Sequence, residues 1–435
     1  MPQAGAGEFM TLPLPDLTQF RVERQDNGLI HLVFDCPDRS MNVFSNKAIH
    51  ELGAFAEWLH RADDVRGVVV RSGKANGFCA GADLTELGVA YEMIVAAPKA
   101  DRFDIAFDHF FPLSHAIRRL ETAGKPIAAA VAGVALGGGC ELALGAHYRV
   151  LTRSRRVMLG LPEYAVGLLP GAGGTQRMPR LVGVEAGLEV LLLGRTYQGE
   201  DAVAAGLADE VVDEGDEIAA AERWLLSEAA HCVQPWDRTD SAPLSHVEIS
   251  GAIERHRERE LARMLGHEPA PLAILDCVEF GIIQPIDGAI RAEMSVFATL
   301  IQRPEPRNMI RTMFLGKQAY DKAAKDGSLP DSIEAAREAI STKVSQASSQ
   351  CPELASALFG APTAGSAPVQ RRVGTDFWLR GRPAAMAALK ELSRDCSGIV
   401  ADMDDITRLQ LDHALARTLV VPAYIGGLAG MTELI

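Results

Sequence analysis

The chain has 435 residues, of which 48% are hydrophobic, and carries 43 Lys and Arg against 57 Asp and Glu, a formal net charge of −14. That sign opposes a general affinity for nucleic-acid backbones or anionic membranes, and the apolar content excludes wholesale disorder. The length predicts about two to three domains.

Residues 1–16 read as a disordered leader. Met1–Pro15 lacks a basic segment followed by an apolar run, so it is not a signal peptide, and Met10 is a candidate start. From Phe20 to Val212 short apolar runs alternate with helical patterns. Leu29–Phe34, Gly67–Val70, Ile127–Val131 and Arg149–Thr152 have strand character, and Asn46–His60 and Asp101–Glu121 have helical periodicity. Strands alternating with helices place the chain in the α/β class. After Gly215 helices predominate: Glu217–Ala230, Ile249–Leu265, Ile286–Ile301 and Asn308–Lys325. In Gly360–Val369 nine of ten residues are Gly, Ala, Pro, Ser or Thr, which reads as linker. The resulting division is a core over 17–265, a helical extension over 266–340, a linker over 341–370 and a helical block over 371–435. That block carries helices at Pro383–Cys396 and Met403–Leu419. Seven scattered cysteines without a CxxC pair point to a reducing compartment rather than to disulfides or zinc. No uninterrupted apolar run reaches the ~18 residues of a membrane span, so a soluble, cytoplasmic protein is expected.

Chemistry concentrates between Gly124 and Arg180. A strand pattern leads through Gly137–Gly138–Gly139 into a short helix, where free N–H groups suit an oxygen acquiring negative charge. Glu141 follows among Leu, Ala and Cys, and Glu163 lies in Leu161–Pro162–Glu163–Tyr164, just before the glycine-rich Pro170–Gly174. Two acids in apolar, glycine-flanked settings are what an acid/base pair requires. Upstream, the small-residue loop Phe78–Asp83 follows a strand and offers a second backbone N–H. Taken singly, each piece is more often structural: a glycine turn, a loop carboxylate, a helix cap at Asp83. Their order and setting together carry the functional reading.

FCAGADL, AVAGVALGGGCELAL and GLPEYAVGLLPGAGGTQRMPRLVG together resemble the signature segments of the enoyl-CoA hydratase/isomerase (crotonase) superfamily, in its order. The likeness is greatest to the hydratase half of the multifunctional fatty-acid oxidation α-subunit. The resemblance implies a crotonase-like ββα-spiral core with a C-terminal helical extension, acting on acyl-CoA thioesters. It implies an oxyanion hole at the backbone N–H groups of Ala80 and Gly138, with Glu141 and Glu163 as the two carboxylates that hydrate a trans-2-enoyl-CoA. The Ala80–Ala82 backbone is implied to bind CoA, and Arg39 is a candidate for a CoA phosphate, or equally an ordinary exposed arginine. No cofactor is expected, CoA being part of the substrate. The resemblance also implies a homotrimer or hexamer, unless the helices after Leu265 cover the equivalent surface. Δ3–Δ2-enoyl-CoA isomerisation and a non-catalytic CoA-binding scaffold are the alternatives.

Other motifs are weak. Eleven histidines form no HExxH, so no metal is expected, and there is no G-x-S-x-G elbow. No G-x-G-x-x-G follows a strand beyond Lys325, so dehydrogenase chemistry is not expected. Asp402, Asp404 and Asp405 read as a helix-start charge cluster. Phe107, Phe110, Phe111 and Leu113 read as core or acyl-pocket lining. The 371–435 block is either a helical cap or contact surface, or a cover for the acyl tunnel.

Overall fold

The computed structural model describes residues 13–75, 77–239, 244–264, 268–359, 382–428 and 431. The expected leader therefore lies outside the described residues, apart from its last four positions. Among the described residues ten strands form two sheets. The larger runs β1 (Phe20–Arg24), β2 (Leu29–Phe34), β3 (Gly67–Ser72), β5 (Ile127–Val131), β7 (Tyr148–Thr152) and β10 (Glu210–Val212), in that spatial order. The smaller runs β4 (Gly77–Cys79), β6 (Val134–Leu136), β8 (Met158–Gly160) and β9 (Thr196–Tyr197). Only β1 and β9, at the edges, pair antiparallel. From β3 to β8 the chain places one strand in the large sheet and the next in the small one, then crosses back through helix. This is the ββα spiral of the α/β class that the sequence implied.

The large sheet is buried on both faces, as a parallel sheet requires. Along β5, Ile127, Ala129 and Val131 enter the main core, while Ala128 and Ala130 face the helix Glu217–Leu225 with Ala220, Ala221 and Trp224. Alanines on that side let the helix lie close to the sheet. On β3, Val68 and Val70 divide from Val69 in the same two-residue rhythm.

The domain boundaries differ from those read in the sequence. The helix Pro269–Gly281 is buried along most of its length and, with Ile286–Leu300, joins the main core through Leu272, Leu275, Met294 and Phe297. The segment read as a helical extension thus packs directly into the α/β core. By contrast, 341–370 is not a linker throughout: Ser332–Gln350 and Pro352–Phe359 are helices, and residues 360–381 lie outside the described residues. A run of small polar residues (STKVSQASSQ) hid the helix, because only Ile333, Ala336, Ile340 and Val344 supply its buried stripe. That stripe packs against Pro383–Ser397 and Asp405–Arg417 in a second core that includes Leu389, Leu415 and Tyr424. Asp404 caps the helix Asp405–Arg417 by accepting from the Thr407 N–H at 2.7 Å.

The two cores meet along one helical run, Pro304–Met309, the π-helical Ile310–Leu315 and Gly316–Asp326. Asn308 donates from Nδ2 to the Tyr424 and Ile425 carbonyls, both at 3.0 Å, and His413 Nδ1 lies 2.9 Å from Thr312 O inside the π segment. Arg311 pairs with buried Asp412 at 3.2 Å. A cleft of about 620 Å³ opens where this run, the helix Leu84–Ala96 and Asp405–Arg417 converge, lined among others by Leu87, Tyr91, Ile310 and Leu409. Asn308→Ala leaves two buried carbonyls without their donor. It should destabilise the C-terminal block by about 1–3 kcal/mol, read as an earlier melting transition by circular dichroism.

Candidate active site

The three motif segments follow three neighbouring parallel strands. FCAGAD leaves β4, LGGGCE leaves β6 and GLPE leaves β8, and the strands pair in that order. All three chains thus emerge at the carboxyl ends of parallel strands, where open α/β sheets place ligand sites.

At the first segment Asn42 does the anchoring. Its fully buried amide donates to Phe34 O, Ser72 Oγ and Phe78 O and accepts from the Cys36 N–H. Its own carbonyl accepts from the Ala80 N–H at 2.9 Å. The donor expected at Ala80 is therefore already occupied, which corrects the sequence reading. Two residues on, Ala82 forms a parallel bridge with Phe44: the Phe44 N–H donates to Gly81 O and the Asp83 N–H to Phe44 O. In such a bridge the central residue's own N–H faces away from its partner. Among the described residues no protein acceptor meets the Ala82 N–H. Gly81, with φ +99°, packs against the glycine turn: a Cβ there would lie 3.4 Å from Gly138 N.

Gly138 begins the helix Gly138–Leu144, so its N–H has no partner within the helix. Gly137 has φ +54°, and its N–H donates to Gly160 O at 3.0 Å, which ties the turn to the end of β8. A Cβ on Gly137 would meet Glu163 Oε1 at 3.0 Å, and one on Gly139 would strike Cys79 O at 2.3 Å. These glycines let three backbones and a carboxylate crowd together. The turn sets Gly137 against Glu163, and Glu141 follows on the helix that the turn begins.

The two acids differ in what they touch. Glu141, 2% exposed, accepts at Oε1 from the Ala172 N–H (2.7 Å) and the Gly174 N–H (2.8 Å). Glu163 Oε2 is buried with no hydrogen-bond partner among the described residues. Burial pushes the Glu141 carboxyl up to about 7, against the opposing pull of those two N–H groups. It pushes Glu163 well above the carboxylate range, helped by the nearby Glu141 charge. Sequence reasoning missed a third acid, Glu293, fully buried on the helix Ile286–Leu300. It accepts from the Gly173 N–H (2.7 Å), the Thr175 N–H (3.0 Å) and the Thr175 hydroxyl (2.5 Å). Burial and the Glu141 charge raise it to about 8. Its signal was present, since Glu293 shares the apolar face of Ile290, Met294 and Phe297. These values lie above the roughly 4.3 of an unfolded glutamate, so folding favours the protonated set. That stability is complete below the unfolded value and is lost as pH rises through the raised ones.

Beneath the loop, Arg177 and Glu121 form a fully buried two-bond ion pair (2.9 and 3.1 Å), and Arg177 also donates to Ala172 O at 3.0 Å. Arg118 extends the pair to Asp237 and Asp287. Arg39 lies beside the site and is paired with Asp83 at 2.6 Å, where Asp83 also caps the helix Leu84–Ala96. Phe110 stacks edge-on to Phe297 at 5.0 Å, and a Cβ on Gly138 would meet Leu113 at 3.5 Å, so this part of the aromatic group borders the site.

The sequence profile of the enoyl-CoA hydratase/isomerase family matches residues 24–237, which include every one of these motif segments. The chain belongs to the enoyl-CoA hydratase/isomerase family. The fatty acid oxidation complex subunit alpha of Idiomarina loihiensis is 32% identical over 317 residues, covering 72% of this chain and 43% of that protein. The corresponding subunit of Shewanella loihica is 33% identical over 310 residues, covering 71% and 42%. The chain thus spans less than half the length of these relatives. Among solved structures, DspI of Pseudomonas aeruginosa is 31% identical over 51% of this chain and 76% of that one, with a TM-score of 0.42. An enoyl-CoA hydratase of Bacillus halodurans is 18% identical over 67% and 99%, with a TM-score of 0.47. Glu293 lies outside the segment matched by the family profile, as do the helices of the second core. Among the described residues no helix is long and apolar enough to cross a membrane.

Gly137→Ala introduces a Cβ at a positive φ and against Glu163. It should cost about 1–2 kcal/mol of backbone strain, measured by thermal unfolding, and should displace the Glu163 carboxyl in a crystal structure of the variant.

Proposed function

We propose that this family member hydrates trans-2-enoyl-CoA thioesters to 3-hydroxyacyl-CoA, with Glu141 and Glu163 as its acid/base pair and Ala82 and Gly138 as its oxyanion donors. The observation that carries the reading is the asymmetry of the two acids around one pair of free backbone N–H groups. Glu141 holds two N–H donors, which favour its carboxylate; Glu163 has none on Oε2 and favours its neutral acid. Glu141 accepts a proton from water as the water oxygen bonds to Cβ. The Cα–Cβ π electrons move toward the thioester carbonyl, whose oxygen takes enolate charge between the Ala82 and Gly138 N–H groups. Donors of this kind contribute about 3–4 kcal/mol each in comparable sites. As the carbonyl re-forms, Glu163 delivers its proton to Cα, and proton exchange between the two adjacent carboxyls restores the starting state. No resident cofactor enters this scheme, because CoA arrives with the substrate. In this reading the Ala80–Ala82 backbone receives CoA together with Arg39, whose side chain is held by Asp83 and about half exposed.

A panel of enoyl-CoA thioesters, read by loss of ultraviolet absorbance and by mass spectrometry with chromatographic separation of isomers, tests the reaction. Gain of water supports hydration, a shifted double bond indicates isomerisation, and no turnover at any length favours a scaffold. Glu141→Gln and Glu163→Gln should each lower kcat by roughly 10²–10⁴-fold while CoA-ester binding persists; wild-type rates in both overturn the acid assignment.

We also propose that the acyl chain extends toward the cleft between Leu84–Ala96 and Asp405–Arg417. Leu87 and Tyr91 of its wall stand on the helix that starts directly after Ala82–Asp83, and Leu409 lines it from the helix Asp405–Arg417. Leu409→Trp should raise KM for long-chain enoyl-CoA roughly tenfold and leave crotonyl-CoA unaffected.

A further inference from the structure

Four consecutive backbone N–H groups at the start of the helix Gly174–Val182 are shared alternately between two buried carboxylates. Ala172 and Gly174 donate to Glu141; Gly173 and Thr175 donate to Glu293. The loop cannot move away from one acid without loosening the other. We propose that Glu293 is a positioning residue for the acid/base pair, acting through the loop whose amides hold Glu141 and through its own buried charge. The inference rests on the hydratase reading and adds a third carboxylate to it.

A purely structural clamp needs no charge, since any neutral acceptor could satisfy an amide. A carboxylate with no exposed surface is expensive unless it is paired or has a use. The ionisable groups facing Glu293 come from four segments: Glu141, Glu163, Arg177 with Arg180, and Cys277. Arg177 is committed to Glu121 and Ala172 O, and Arg180 to Gln176 and to the carbonyls of Gly281, Ile282 and Gln284. Neither makes an ion pair with Glu293 among the described residues. Beside the more distant attraction of Arg177 and Arg180, its charge acts on the other two acids, where like charges close together resist joint ionisation.

The test is the pH profile of Glu293→Gln, measured on the full chain with crotonyl-CoA. The alkaline limb of kcat should move to lower pH by about one unit or more, because the remaining acids ionise more easily, while KM stays within about twofold. Glu293→Asp keeps the charge and should return the limb toward wild type. An unmoved limb in folded Glu293→Gln overturns the proposal. Should that variant fail to fold by circular dichroism, Glu293→Asp decides. Withdrawing the carboxylate by one methylene should lower kcat roughly tenfold or more at unchanged KM, and wild-type kcat overturns the proposal. An infrared titration of the unliganded protein separates this inference from the hydratase reading. The buried carboxyl band that vanishes in Glu163→Gln should titrate at lower pH in Glu293→Gln. If the wild type hydrates no enoyl-CoA, the functional reading falls, and this band still decides the role of Glu293.

Discussion

The site depends on one short loop whose amide groups are divided between two buried acids. Ala172–Thr175 cannot complete a helical turn, so its N–H groups have no backbone partners at the start of Gly174–Val182. Glu141 and Glu293 provide the acceptors from two different helices. The loop and the acids satisfy each other: without the acids the amides would be buried and unpaired, and without the amides the carboxylates would be costly to bury. A single arrangement thereby fixes the helix start, the direction of Glu141 and the contact between the α/β core and the helices that follow it.

Burying three acids together needs support that is not itself neutralising. Arg177 provides it by gripping Ala172 O from below while its charge is spent on Glu121, with Arg118, Asp237 and Asp287 completing the network. A buried pair of this sort is weak evidence of net stability, but losing one partner strands a buried charge. Its value here is geometric: it locks the loop, while its charge offsets only part of the burial that raises Glu141 and Glu293. The Ala82 and Gly138 N–H groups depend on a comparable indirect support, because Asn42 takes up the Ala80 N–H and sets the path of the loop two residues before the free donor.

Much of this was legible in the sequence and some was not, for physical reasons. The long strands and helices announced themselves through periodicity, and Glu141, Glu163 and Gly138 stood out as acids or glycines in apolar surroundings. The small sheet did not, since Gly77–Cys79, Val134–Leu136 and Met158–Gly160 are three residues each and carry too little pattern to register. Yet that sheet is what gathers the motifs. The placement of the donor at Ala80 failed for a related reason: along FCAGAD the Ala80, Gly81 and Asp83 N–H groups are taken by Asn42 O, Cys79 Sγ and Phe44 O, and only the bridge to Phe44 shows that Ala82 is the one left over. Glu293 was legible in kind, as an acid on an apolar helix face, but its partner loop lies more than a hundred residues earlier, beyond the reach of local pattern.

The same contacts decide where the chain divides. The sequence reading set a core over 17–265 and a helical extension of that core over 266–340. Glu293 shows how closely the two are joined: a core cut at 265 would leave the Gly173 and Thr175 amides buried without acceptors and expose Gly171 where Phe297 packs against it. The real change of core falls in the run from Pro304 to Asp326, where Ile310 packs inward and Met309 outward into the second cluster. There the π segment carries Thr312 O to His413, and Asn308 holds two carbonyls of the last turns. The helices beyond it therefore rest on the element that also borders the Glu163 segment through Gly167, Pro306 and Met309. Any influence of the C-terminal block on the site has a short physical route, from the second core through Met309 to the turn that carries Glu163.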